Sequence, residues 1–214
     1  MDYSKQLWYT SPAPYWEGAL PVGNGRIGAM VFGGTAEETL ELNEDTLWSG
    51  LPDESLLENG PEKVLRARRL IADRRFSDAD RYIQENLLDH NCQSYQPAGA
   101  LHLTGDSGGA PLSYRRGLDL ENAVAVTDFQ MDNTAFRREV FASFPDQVIV
   151  LRLTGSGPLR LRLDTPLHHT AGAAGNELWL DGTCPFYNRY DQIRWESPDG
   201  ETGIRYQILS LIHI

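Results

Sequence analysis

LDLENAVAVTDFQMDNTAFRREVFASFPDQVIVLRL, residues 118–153, decides the fold. Leu118 and Leu120 alternate with polar or small neighbours, and so do Val124 and Val126. Phe136 to Phe144 and Val148 to Leu153 continue the series. Successive side chains of a strand point to opposite faces, so an apolar period of two marks half-buried strands. The same texture extends in both directions. Arg26 to Phe32, Glu38 to Leu42 and the pair Leu101 and Leu103 precede it. Leu159 to Leu163, Glu177 to Leu180 and Gly203 to Ile208 follow it. Turn residues punctuate the strands at Gly33-Gly34, Ser107-Gly108-Gly109, Thr154-Gly155-Ser156-Gly157 and Ser197-Pro198-Asp199-Gly200. Many short strands at this spacing imply a mainly β protein, a large antiparallel sandwich.

Two stretches break the pattern. Leu7 to Pro21 carries Pro12, Pro14 and Pro21, which exclude a regular helix or a central strand. It reads as an irregular segment pinned by Trp8, Tyr9, Tyr15 and Trp16. Residues 62–88 have helical spacing instead. Val64, Leu65, Arg68 and Ile71 recur along one helix, with Pro61 in its first turn. Ser77 suits the N-cap of a second helix whose face holds Ala79, Tyr82, Ile83 and Leu87. A short helical pair is therefore inserted between strands.

The bulk numbers bound the function. At 214 residues, 41% apolar and 23% charged, the chain can bury a sizeable core as one β domain. A net charge of -11 disfavours nucleic acid and anionic membrane surfaces, and a neutral sugar would be indifferent to it. Two cysteines, Cys92 and Cys184, exclude a disulfide scaffold and read as free thiols. The start shows no signal-peptide pattern, and no apolar run reaches the roughly 20 residues of a membrane span. As written, the expected location is cytoplasmic. The run from Ile208 to Ile214 ends without a turn or polar cap, so the domain is expected over 1–208, truncated, with 209–214 a foreign tail.

No motif supplies an assembled catalytic group. Gly23-Asn24-Gly25-Arg26-Ile27-Gly28 matches a dinucleotide fingerprint, but a strand follows it where a helix is needed, so it reads as a tight turn. Glu41, Glu44 and Asp45 read as loop hydrogen-bonding groups, because one short segment rarely supplies both walls of a glycosidase cleft. His168 and His169 would point to opposite faces of a strand, and His90 with Cys92 lacks a second ligand pair. No metal and no cofactor is expected. Cys184 to Tyr190, CPFYNRY, combines aromatics with Asn and Arg, as a sugar-binding loop would, or a loop packed over the sandwich edge.

PYWEGALPVGNGRIGAMVFGG (14–34) followed by ELNEDTLWSGLPD (41–53) resembles the start of family 95 glycoside hydrolases. YQPAGALHL (95–103), YRRGLDLENAVAVTDF (114–129) and FRREVFASFPDQVIVLRL (136–153) resemble that family's next blocks, in the same order. The likeness spans residues 7 to 182. It implies a large N-terminal β-sandwich that precedes a helical linker, an (α/α)6 barrel and a smaller β domain. It also implies inverting hydrolysis of terminal α-L-fucose, notably α-1,2-linked, with the catalytic groups on the barrel. None of those positions falls in this chain. The expected partners are thus the missing barrel and, through it, a fucosylated glycan. The resemblance further implies that an aromatic of this domain reaches substrate; Tyr187 or Tyr190 is the candidate, and Asn188-Arg189-Tyr190 matches the family's sequence there in part. Rival readings are a stand-alone carbohydrate-binding module using Trp16, Trp48, Trp179 or Trp195, with Trp179 expected in the core, and a purely structural sandwich.

Overall fold

The computed structural model describes residues 5–51, 57–88, 93–105, 109–155, 157–189 and 192–213. Its strands in chain order are β1 (Gln6–Tyr9), β2 (Leu20–Gly23), β3 (Ile27–Val31), β4 (Glu37–Glu44), β5 (Gly99–Gly105), β6 (Ser113–Asp119), β7 (Val124–Met131), β8 (Thr134–Ser143), β9 (Val148–Thr154), β10 (Leu159–Asp164), β11 (His168–Ala174), β12 (Glu177–Thr183), β13 (Tyr187–Arg189), β14 (Gln192–Arg194) and β15 (Arg205–Leu211). Helices α1 (Gly60–Ala72) and α2 (Phe76–Asn86) sit between β4 and β5.

Two five-stranded sheets, β1-β6-β7-β8-β9 and β10-β5-β4-β3-β2, form the sandwich, and every pairing in them is antiparallel. Their inner faces supply one core. Leu20, Val22, Ala29, Val31, Leu40 and Leu103 come from the second sheet, and Leu118, Ala125 and Val140 from the first. Burying each such Leu or Val contributes about 1.5–3 kcal/mol. A three-stranded sheet, β11-β12-β15, joins through a second cluster of Leu47, Ala98, Leu167 and Cys184, against which Trp195, Tyr206 and Ile208 pack. β13 and β14 form a separate hairpin.

The expected alternation is thus the architecture, with several corrections. The segment 7–21 holds two strands, β1 and β2, each at a sheet edge, where Pro21 leaves no interior ladder bond unmade. Its aromatics do not pin it: Trp8, Tyr15 and Trp16 are 52%, 62% and 55% exposed. Buried Arg116 holds the segment instead, donating to the carbonyls of Ser11 (2.7 Å) and Gly18 (2.8 Å) and lying 4.2 Å over the Tyr9 ring. Ala13 N–H also donates to Phe32 O (2.8 Å). Helix α2 begins two residues earlier than expected, with Arg75 rather than Ser77 before its first turn. Trp179 is half-buried, not core, because Leu180 next to it takes the inward position. Strand β11 was not expected, and CPFYNRY contributes strand β13 rather than only a loop.

The turn between β3 and β4 is held to the other sheet by side chains of β6 and β8. Gly33, between β3 and β4, adopts φ +76, and a Cβ there would strike the Tyr114 hydroxyl and Arg116. Its N–H donates to Glu38 Oε1 (2.7 Å), and its carbonyl accepts from Tyr114 Oη (2.6 Å). Arg138 of β8 reaches across to the carbonyls of Gly34 and Thr35 and to Glu38 Oε2 at 3.4 Å. Glu38 and Arg138 side chains are only 1% and 7% exposed. Burial raises the Glu38 carboxyl above its usual range despite Arg138 and its hydrogen bonds, and burial lowers Arg138. Buried turn amides and carbonyls must find partners, and a paired charge from each sheet provides them.

Candidate functional site

Three segments far apart in sequence meet at the Glu44 end of β4: the turn 44–50, the approach to β5 at 93–98, and residues 184–189. Leu47 is the buried anchor of the turn, and Gln96 N–H donates to its carbonyl (2.9 Å). Ser49 N–H donates to Ser94 O (2.9 Å), and Ser94 N–H returns a bond to Ser49 Oγ (3.0 Å). Gly50 N–H donates to Pro185 O (2.9 Å), and Ser94 Oγ donates to the Asn188 carbonyl. Asn188 Nδ2 donates to Gln96 Oε1 (3.3 Å), while Gln96 Nε2 donates to the carbonyls of Ser94 and Tyr95. This lattice satisfies buried Ser49 and Gln96 and fixes the rim.

On that base stand two aromatics. Trp48 and Tyr95 form an isolated bridge, and their rings meet edge to face, centroids 5.2 Å apart at 71°. Each is more than a third exposed. Trp48 Nε1 donates to Asp45 O (3.1 Å) and Tyr95 Oη to Glu44 O (2.7 Å), so both rings are held at their polar ends. Tyr187 is half-buried on β13, with the Arg194 guanidinium 4.5 Å over its ring. Tyr190 lies outside the described residues, as do His90 and Cys92. The structure therefore brings Tyr187 into the rim lattice through its neighbour Asn188. Trp48 was legible as an available aromatic; its partner Tyr95 was not, since 47 positions separate them.

Glu44 of the turn is structural. Burial pulls the Glu44 carboxyl upward, but hydrogen bonds from Thr46 N (2.8 Å) and Thr46 Oγ1 (2.7 Å), with the Arg26 charge, hold it below the usual range. Asn24 closes the neighbouring β2–β3 turn, its Oδ1 accepting from Arg26 N and Ile27 N, as the reading of 23–28 as a turn requires. His168 stacks on Trp195 at 3.5 Å, and His169 Nδ1 lies 2.9 Å from Leu167 O. No group of three His, Cys, Asp or Glu suited to a metal occurs among the described residues. Cys184 is a free, buried thiol whose pKa burial pushes up to about 11, so it is not a nucleophile. No helix among the described residues is long and apolar enough to cross a membrane.

The fold is an antiparallel sandwich whose rim carries fixed aromatics and amides, with the nearby Glu44 carboxylate tied into a turn. Residues 7–213 match the model of the glycosyl hydrolase family 65 N-terminal domain, and the chain belongs to that family. It is 36% identical over 188 residues to Alpha-L-fucosidase 2 of Arabidopsis thaliana, a match covering 84% of this chain and 22% of that protein. It is 38% identical over 167 residues to Probable alpha-fucosidase A of Aspergillus niger, covering 73% and 21%. A namesake from Aspergillus oryzae is 25% identical over 173 residues. The chain spans about a fifth of the length of these relatives.

Proposed function

We propose that the chain works as the non-catalytic N-terminal sandwich of an inverting α-L-fucosidase of the family 95 type, docked on an (α/α)6 barrel that carries the chemistry. The observation that carries this reading is an aromatic flank. Tyr15 and Trp16, 62% and 55% exposed, stand on a strap that Arg116 holds in place. Rigid backbone under solvent-facing rings is the form of a surface awaiting a partner. Relatives named as α-fucosidases support the substrate class, and they supply the greater part of their length outside the region matched here.

Inversion needs an acid on the leaving oxygen and a base activating water on the opposite face, with carboxyls about 6.5–9.5 Å apart. A single barrel wall can fix that separation. The sandwich then covers apolar barrel surface and lends its rim to the cleft, where Trp48, Tyr95 and Tyr187 offer rings to the C–H faces of a fucosyl unit and Asn188 offers an amide to its hydroxyls. The test is release of L-fucose from 2'-fucosyllactose by the 214-residue chain and by a polypeptide that also carries the barrel. Turnover is expected from the second alone, with inverted anomeric configuration in the first product formed. Turnover by the 214-residue chain contradicts the assignment of chemistry to the barrel.

The fixed Trp48–Tyr95 pair also favours a second reading, a sugar-binding module that works by itself. Calorimetry of the 214-residue chain with L-fucose separates the two: tight binding without the barrel favours the module.

A further inference from the structure

The outward face of β11-β12-β15 is a second surface that combines an aromatic with polar side chains, and it touches the residue after the β13–β14 hairpin, Trp195, which stacks on His168. Leu180 and Gly182 of β12 are buried, so Trp179, Asp181 and Thr183 face outward. The register fixes their neighbours. His168, Thr183 and Arg205 form one row across the three strands; Thr170, Asp181 and Gln207 form the next; Gly172, Trp179 and Leu209 form the third. Directly opposed positions in such rows lie about 4.5–5.5 Å apart.

Each row has a defined chemistry. In the third, Gly172 leaves room for the Trp179 indole to lie across the sheet, because a Cβ at 172 would collide with that ring. In the second, Gln207 Nε2 donates to Asp181 Oδ1 (2.8 Å), which fixes an exposed carboxylate in the same row as Thr170. In the first, Arg205 is exposed with no ion pair among the described residues, and His168 is braced flat against Trp195, ring planes 10° apart. His168, Thr170, Asp181, Thr183, Arg205 and Gln207 line one shallow concavity.

We infer that this face binds a neutral oligosaccharide, with one ring stacked on Trp179 and its hydroxyls taken by Asp181, Gln207 and Arg205. The charges of Asp181 and Arg205 cancel, so the surface selects neither anion nor cation. A flat aromatic beside alternating donors and acceptors is what a polyhydroxylated ring with one apolar face requires. An apolar protein partner would leave six polar groups desolvated and unpaired. The proposal shares its ligand class with the proposed function but not its residues.

The test is titration of the 15N-labelled 214-residue chain with 2'-fucosyllactose and, separately, lactose, following the Trp179 indole N–H and the Gln207 side-chain amide. Saturable shifts of both signals with at least one sugar are expected. Asp181→Ala, and independently Gln207→Leu, should weaken that binding about tenfold at unchanged melting temperature, a loss of about 1.4 kcal/mol. Absence of saturable shifts at both reporters with both sugars overturns the proposal, and so do shifts that persist undiminished in both folded variants. Either failure leaves fucose release by the barrel-bearing polypeptide untouched, so the two claims fall separately.

Discussion

Arg138 carries a disproportionate share of the inter-sheet connection. Its guanidinium holds two turn carbonyls and the Glu38 carboxylate, and it lies 5.0 Å over the Phe129 ring. Removing one partner of a buried pair strands the other, at a cost of about 3–5 kcal/mol. Arg138→Met is therefore expected to lower the urea-unfolding free energy by that amount. The double variant Glu38→Leu with Arg138→Met leaves no charge unpaired but strands the Gly33 N–H and the Gly34 and Thr35 carbonyls, so it should recover only part of the loss. Titration at single residues has a sign that can be checked. The folded Glu44 carboxyl sits below its ordinary 4.5 because the Thr46 bonds and Arg26 outweigh its burial. Its stabilisation is thus present above the unfolded pKa and is lost as pH falls through the folded one. Glu44→Gln should flatten the acid side of the melting temperature against pH, read by circular dichroism. Glu38 has the opposite sign: burial raises its folded pKa, so its contribution fades as pH rises through that value. The hydrogen-bonding role of Glu44 was legible in sequence; the Glu38–Arg138 pair was not, because 100 positions separate its members.

Among the elements, legibility followed burial on one face. β7 and β8 alternate buried and half-exposed residues, and their period of two was readable directly. β11 was not readable, because HHTAGAA is exposed along nearly its whole length and carries no large apolar side chain. β13 and β14 are three residues each, too short to show any period. β1 and β2 hid among prolines that edge strands tolerate. The helical pair was readable in place and length, yet its packing is thin. Ala67 is the buried residue of α1 and Ala79 that of α2, while Val64, Leu65, Ile71 and Phe76 are exposed. Helices that bury little depend on one another and open readily. Hydrogen exchange by mass spectrometry should show amides of 60–86 exchanging well before those of β7 and β8. Equal protection in the two regions would mean that the pair is anchored by contacts other than those between its own helices.

For the whole molecule, the sandwich class followed from the strand series, whereas the surfaces did not. The sequence reading assigned the rings of Trp8, Tyr9, Tyr15 and Trp16 to holding the segment; in the fold Arg116 holds it, with the Tyr9 ring under its guanidinium, while Tyr15 and Trp16 face solvent. The rim was half legible, through Trp48 and the CPFYNRY segment, because its lattice depends on bonds among three segments that only folding assembles. The exposed Tyr15 and Trp16 on a fixed strap carry the proposal that a partner completes this sandwich. The most direct measurement is calorimetric titration of the 214-residue chain into a separately expressed (α/α)6 barrel of the same polypeptide, with a Tyr15→Ser/Trp16→Ser variant alongside. The account predicts saturable one-to-one binding with a negative heat-capacity change, as burial of apolar surface requires, and loss of most of that affinity in the folded variant. No association, or equal association of the variant, would contradict it.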